Sequence, residues 1–180
     1  MDVDERDGPA FVDRIRRNDP DAWESFYLDA YPRLRAFAVR RVGDQRAPDI
    51  VAETMARAVG SIARFDPTGV GLAAWVFGIC RHVVADSYRK AARDQREPAA
   101  AVETVDDIGD TVEGDEEARA MRTAYGMLSE DDREILDLRV VAGLSADDVG
   151  RVLGRQPGAV RMAQSRALGR LRENFKEVYR

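Results

Sequence analysis

Little in this sequence can serve redox or metal chemistry: its 180 residues include one cysteine, Cys80, and one histidine, His82. A single cysteine forms no internal disulfide, and two lone donors fall short of a zinc set. Cys80 stands among Val76, Ile79 and Val83 and reads as a small core residue. Long apolar runs are missing too. None reaches the roughly 18–20 residues a membrane span requires. The first residues, Met1-Asp-Val-Asp-Glu-Arg-Asp7, lack the basic and apolar regions of a secretory signal, so a cytoplasmic protein is expected. Alternating β-branched runs are absent, which argues against strands. There is no glycine-rich phosphate loop, and no Ser/His/Asp or Cys/His set. Cys80 and His82 are two apart and would not face each other on a helix. Neither a cofactor nor catalysis is expected.

Charge is abundant, at 34% of residues, beside 44% hydrophobic ones. The net charge of −5 is unevenly spread. Glu97, Glu103, Asp106, Asp107, Asp110, Glu113, Asp115, Glu116 and Glu117 follow one another with no Lys or Arg between them, so the rest of the chain is net basic. That acidic stretch, with only isolated Val and Ile, buries too little apolar surface to offset its ordering entropy. Residues 96–117 therefore read as a flexible acidic linker between two small helical domains, 1–95 and 118–180. The fold class expected is all-α.

Helix punctuation supports this division. Asp19-Pro20 reads as N-cap and first position of a long helix whose buried face carries Trp23, Phe26, Tyr27, Leu34, Phe37 and Ala38. Pro32 is expected to kink or break it. The chain turns near Gly43, and Pro48-Asp49 opens a helix through Ile62 with Val51, Met55, Ala58 and Ile62 inward. Phe65–Gly71 is a Pro/Gly loop before a third helix over about 72–92. Further on, Ser129-Glu-Asp-Asp132 and Ser145-Ala-Asp-Asp148 have capping-box spacing, Gly143 and Gly154 sit at helix C-termini, and Pro157 opens the last helix. Helix, turn, helix, turn, helix is the helix-turn-helix pattern, with 157–174 as recognition helix.

At about 100° per residue, Val160, Ala163, Ala167 and Leu171 of that helix fall on one face. Gly158, Arg161, Met162, Ser165 and Arg172 fall opposite, with Arg166 at the flank. Early residues of a recognition helix reach base edges and later basic ones reach phosphates. Arg161 suits a guanine, Met162 a thymine methyl, and Gly158 leaves room for the duplex.

The N-terminal half says what kind of DNA reader this is. Asp49-Ile-Val-Ala-Glu53-Thr-Met55-Ala-Arg57-Ala resembles the polymerase-binding helix of bacterial sigma factors, whose pattern is Asp-x-x-Gln-Glu-x-Phe-x-Arg-Ala. Phe65-Asp-Pro-Thr-Gly followed by Ala74-Trp75-Val-Phe77-Gly-Ile79-Cys-Arg81-His82 and Asp86-Ser-Tyr-Arg89 resembles the family's promoter-melting segment. Leu144–Gly154, then Gly158-Ala-Val-Arg161 and Ser165-Arg166-Ala167, resembles its minus-thirty-five reader. The order matches over nearly the whole chain, and the two-domain layout is similar to the extracytoplasmic-function subfamily.

The resemblance implies that Asp49, Ala52, Glu53, Ala56 and Arg57 face core RNA polymerase, on its beta and beta-prime subunits. Phe65, Asp66, Thr68, Trp75, Arg81, His82 and Arg89 would face the minus-ten DNA, where aromatic and basic groups suit unstacked single strands. Arg155, Gln156, Gly158, Ala159, Arg161, Met162, Ser165 and Arg166 would face the minus-thirty-five duplex. Two departures stand out: Ala52 where the family usually has Gln, and His82 where many members carry Asn. Many members are held by an anti-sigma factor, often membrane-anchored, and the resemblance admits one here; a monomer is expected when free. The linker has two readings, an acidic strand in the polymerase's positive channel or a solvated tether. The rival to a polymerase subunit is a dimeric helix-turn-helix regulator, which has no need of the Asp49–Arg57 helix. A helical adaptor is a weaker rival, since the recognition face is basic.

Overall fold

A computed structural model describes residues 8–94 and 116–180, and every regular element among them is helical. Two groups of helices succeed each other. The first is α1 (Pro9–Arg16), α2 (Pro20–Val42), α3 (Ala47–Ser61) and α4 (Leu72–Asp94), with a 3₁₀ turn at Ile62–Arg64. The second is α5 (Glu116–Gly126), α6 (Glu130–Leu136), α7 (Ala146–Leu153) and α8 (Pro157–Val178). The expected linker lies mostly outside the described residues, but Glu116 and Glu117 form the first turn of α5. Two carboxylates there suit the positive end of a helix dipole, which composition alone had assigned to the linker.

Local chemistry sets the element boundaries. Asp19 caps α2 by accepting from the Asp21 and Ala22 backbone N–H groups at 3.0 and 3.1 Å, and it also pairs with Arg14 at 2.8 Å. Ser129 and Ser145 cap α6 and α7 through the N–H groups of Asp132 and Asp148. Gly154 ends α7 at φ 65°, and Gly143 turns the chain at φ 67°. Helix α1 had no counterpart in the sequence reading; it folds because Val12 and Ile15 reach the core.

Pro32 does not break α2, contrary to expectation. It lies on the exposed face, as does Leu28, whose carbonyl loses its helical donor there and is open to water. Ala30 and Leu34, on either side of Pro32, are buried and hold the helix through it. Tyr27, expected on the buried face, is 37% exposed and tilts against Tyr31 at 5.3 Å between ring centroids.

The core of the first group joins Phe26, Leu34, Phe37, Val51, Ala58, Leu72, Val76 and Phe77, with Phe37 and Phe77 edge to face at 5.8 Å. Met55, expected on the inward stripe of α3, is only half-buried, while Ile50 and Thr54 complete that stripe. Thr54 is fully buried and donates its hydroxyl to the Ile50 carbonyl at 2.6 Å. Cys80 is buried beside it; burial lifts its thiol to about 11, so it stays protonated as a core residue should.

The same apolar cluster continues into the second group through Ile135, Leu138, Ala142, Leu144, Val149 and Val160. The two halves thus share one core, where the sequence indicated only a tether between them. Helix α6 passes into a π-helical turn, Asp137–Val141, at this junction. There Asp137 is fully buried and meets Arg41 of α2 at 3.1 Å, while Tyr125 donates to it at 2.5 Å. A smaller cluster of Tyr125, Leu128, Leu136 and Ala167 supports α8 from its other side. Among the described residues no helix is long and apolar enough to cross a membrane, and no group of three or more His, Cys, Asp or Glu could hold a metal ion.

Candidate polymerase and nucleic-acid interfaces

Helix α3 has two distinct faces. Ile50, Val51, Thr54 and Ala58 are buried, and Asp49, Ala52, Glu53, Ala56 and Arg57 are all exposed. Arg57 is positioned from two sides: its Nε donates to Glu53 Oε1 at 2.7 Å and its second nitrogen to Asp86 Oδ2 of α4 at 2.8 Å. Asp86 also pairs with Arg89. Hydrogen bonds from Arg57 and Arg89 hold the Asp86 carboxyl below the ordinary carboxylate range. The face is therefore a fixed ion-pair array beside a shallow floor of Ala52 and Ala56. The small Ala52, where the sigma pattern has Gln, leaves that floor without a side-chain amide.

The second candidate surface is the loop before α4 and the exposed side of α4. Asp66 closes the loop by accepting from the Thr68 backbone N–H at 2.9 Å and from its hydroxyl at 2.8 Å, which depresses its pKa. Both residues are exposed, as are His82 and Arg89. Trp75 is half-buried. Phe65 departs from the sequence expectation: at 2% exposure it is a core residue, its ring 5.0 Å from that of Trp75. It sets the tilt of Trp75 and offers DNA no surface. Arg81 is also differently engaged, donating to Glu134 of α6 at 2.6 Å. Nothing local to α4 announced this partner, which lies 53 positions away.

The third surface is α8. Val160 and Ala167 are buried and Ala163 and Leu171 half-buried, while Gln156, Gly158, Ala159, Arg161, Met162, Ser165, Arg166 and Arg172 are exposed. Met162, at 65% exposure, is a large apolar side chain standing in water. Arg155 is set apart from this row, held by both carboxylate oxygens of Asp131 at 2.8 and 2.9 Å. That bidentate clamp fixes the turn between α7 and α8. A second clamp anchors α8 further along, where Arg170 grips the buried Asp132 at 2.7 and 2.5 Å. The Arg170 hydrogen bond lowers the Asp132 carboxyl below its usual range. Close approach does the rest: a Cβ on Gly150 would lie 2.6 Å from the Arg155 carbonyl oxygen. Asp132, Arg170 and Gly150 escaped the sequence reading; only the i, i+3 capping spacing at Ser129 touched one of them.

Comparison with known proteins agrees with this geometry. The family model for sigma-70 region 2 matches residues 26–94, which span most of α2 through α4, and that for sigma-70 region 4 matches residues 126–173. The ECF RNA polymerase sigma factor ShbA of Streptomyces griseus is 33% identical over 91% of this chain and 92% of its own length. The ECF RNA polymerase sigma factor SigD of Mycobacterium tuberculosis is 37% identical over 81% of this chain and 70% of its own. Among solved structures, the sigma factor RpoE of Bartonella quintana, bound there to the anti-sigma factor NepR, matches with a TM-score of 0.69 at 28% identity, covering 85% of this chain and 96% of that one. Two sigma regions in order, on surfaces that leave the matching motifs exposed, place the chain among the ECF RNA polymerase sigma factors, the initiation subunits that direct core polymerase to specific promoters.

Proposed function

We propose that the three surfaces divide the initiation task among themselves. Asp49, Ala52, Glu53, Ala56 and Arg57 dock core polymerase. Asp66, Thr68, Trp75, Arg81, His82 and Arg89 receive the melted minus-ten strand. Gln156, Gly158, Ala159, Arg161, Met162, Ser165 and Arg166 read the minus-thirty-five duplex, with Arg155 positioning α8 through Asp131. The functional units are residues 1–95 and 116–180, with the acidic stretch between them. The observation that carries the reading is the exposure of the motif residues of α3 and α8 against buried opposite faces.

The protein acts in the cytoplasm as a specificity subunit without catalysis of its own, and polymerase supplies the chemistry. Its free form is a monomer. An anti-sigma factor is a fitting partner, because the similar RpoE of Bartonella quintana was solved with one. The test is transcription reconstituted from the purified chain and bacterial core polymerase on a genomic fragment library. Start sites sharing two spaced elements, lost with the Glu53→Ala/Arg57→Ala pair, are the expected result. No promoter-directed RNA, together with tight dimeric binding to a palindrome, would establish the regulator reading instead.

A further inference from the structure

The two DNA-reading surfaces lie against each other. The Gly71 N–H of the promoter loop is 3.4 Å from Asp148 Oδ1 at the start of α7, and Arg81 of α4 is bound to Glu134 of α6. The elements they would read are named for positions about 25 base pairs apart, more than two turns of duplex or about 80 Å. A molecule in this arrangement cannot span both. The 21 residues between Asp94 and Glu116 could reach at most about 75 Å when extended, so separating the halves is sterically open to the chain. What opposes it is the shared core and a set of polar contacts across the junction.

From the observed contacts we infer an intramolecular latch that holds the free protein in a closed, promoter-incompetent form, its bolt being Asp137 and Glu134 against arginines of the first half. The inference rests on the proposed division of surfaces. Asp137 is fully buried, 3.1 Å from Arg41 and 3.9 Å from Arg40. Arg40 lies over the Tyr125 ring at 4.7 Å, and Tyr125 donates to Asp137, so the carboxylate is held from both halves. Arg33 of α2 adds a hydrogen bond to the Ala142 carbonyl at 3.0 Å. None of Arg33, Arg40, Arg41, Glu134 and Asp137 belongs to the exposed surfaces proposed to meet polymerase or DNA. Arg81 does, and the latch occupies it. Opening therefore releases a DNA-binding arginine and separates the two readers in one event. Polymerase binding that favours the open form must work against the latch, and its apparent affinity is reduced by the closed fraction.

The test uses the full chain with Glu134→Gln/Asp137→Asn, which removes both charges at nearly constant shape, and separately Arg33→Gln. Circular dichroism and thermal melting verify that each variant folds. Small-angle scattering of the free wild type should give a radius of gyration close to the ~16 Å of a compact chain this long. The double variant should be several ångströms larger, and Arg33→Gln should move the same way to a smaller extent. The sigma concentration for half-maximal promoter-directed transcription should fall roughly tenfold in the double variant, since hydrogen bonds to charged groups are lost only from the closed form. A wild type that is already expanded would overturn the latch, as would folded variants whose size or half-maximal concentration matches wild type. Scattering needs no polymerase, so failure of the latch and failure of the initiation reading are separately visible.

Discussion

Three glycines of the helix-turn-helix offer a sharp test of its geometry, because the same Gly→Ala change should act with different sign at each. Gly150 lies inside α7, and an added Cβ would stand 2.6 Å from the Arg155 carbonyl oxygen and 3.5 Å from the Pro157 nitrogen. Both are backbone atoms and cannot swing aside. Alanine in a helix interior gains up to about 1 kcal/mol over glycine, but forced overpacking costs about 1–3 kcal/mol. Gly150→Ala should thus be net destabilising by roughly 1–2 kcal/mol, or a few degrees in Tm for a chain this long. It must also push the turn that aims α8, so binding to a minus-thirty-five duplex should fall further than stability does. Gly169, mid-way along α8 with nothing near its missing Cβ, should instead gain about 0.5–1 kcal/mol. Gly158 is equally open, but it lies on the proposed DNA surface, so Gly158→Ala should leave stability intact while weakening DNA binding. Urea denaturation and duplex binding of the three variants, side by side, settle the matter. If Gly150→Ala proves as stable as Gly169→Ala, the close approach of α7 to the following turn is not a constraint and the reasoning fails.

Other expectations follow from single contacts. The Asp132 carboxyl is held below its ordinary range by Arg170, so its contribution is present above the unfolded carboxylate pKa of about 4 and is lost as pH falls through the folded value. The gap in denaturation midpoint between wild type and Asp132→Asn should therefore be widest near neutral pH and close below about pH 4; a gap independent of pH would refute the pairing. Cys80, buried and with its thiol raised to about 11, should resist maleimide labelling in the folded protein and react only at the rate of opening. Rapid stoichiometric labelling without denaturant would contradict the core placement. Arg161→Ala should lower transcription from promoters that depend on the minus-thirty-five element by roughly tenfold, the scale of one bidentate base contact, without moving the melting temperature; unchanged promoter choice would remove Arg161 from the reading surface.

How much of this was legible beforehand depended on how local the signal was. Asp19, Ser129, Ser145, Gly143, Gly154 and Pro157 act on backbone groups within a few positions, and their helices begin and end where those residues indicate. The buried stripes of α3 and α8 follow from helical period alone. Pro32 misled because its effect depends on what lies around it: buried neighbours on both sides hold the helix and its free carbonyl faces water. Phe65 misled in the opposite direction, since an aromatic in a Pro/Gly loop has no periodicity to reveal that it turns inward. The contacts of Arg41 with Asp137, 96 positions apart, and of Arg81 with Glu134 leave no sequence signal at all. Each charge, seen alone, reads as a solvated helix surface.

Asp86 has a consequence of its own. One carboxylate serves two guanidiniums, Arg57 on the polymerase side and Arg89 on the promoter side. A phosphate that draws Arg89 away leaves the full negative charge to Arg57 and stiffens the docking face. A polymerase contact that takes Arg57 leaves Asp86 to Arg89 and holds that arginine back from DNA. Whatever free energy this exchange transfers, it transfers equally in both directions. The two ligands of the first domain thus negotiate through a single side chain, and Asp86→Asn would leave each to bind without regard to the other.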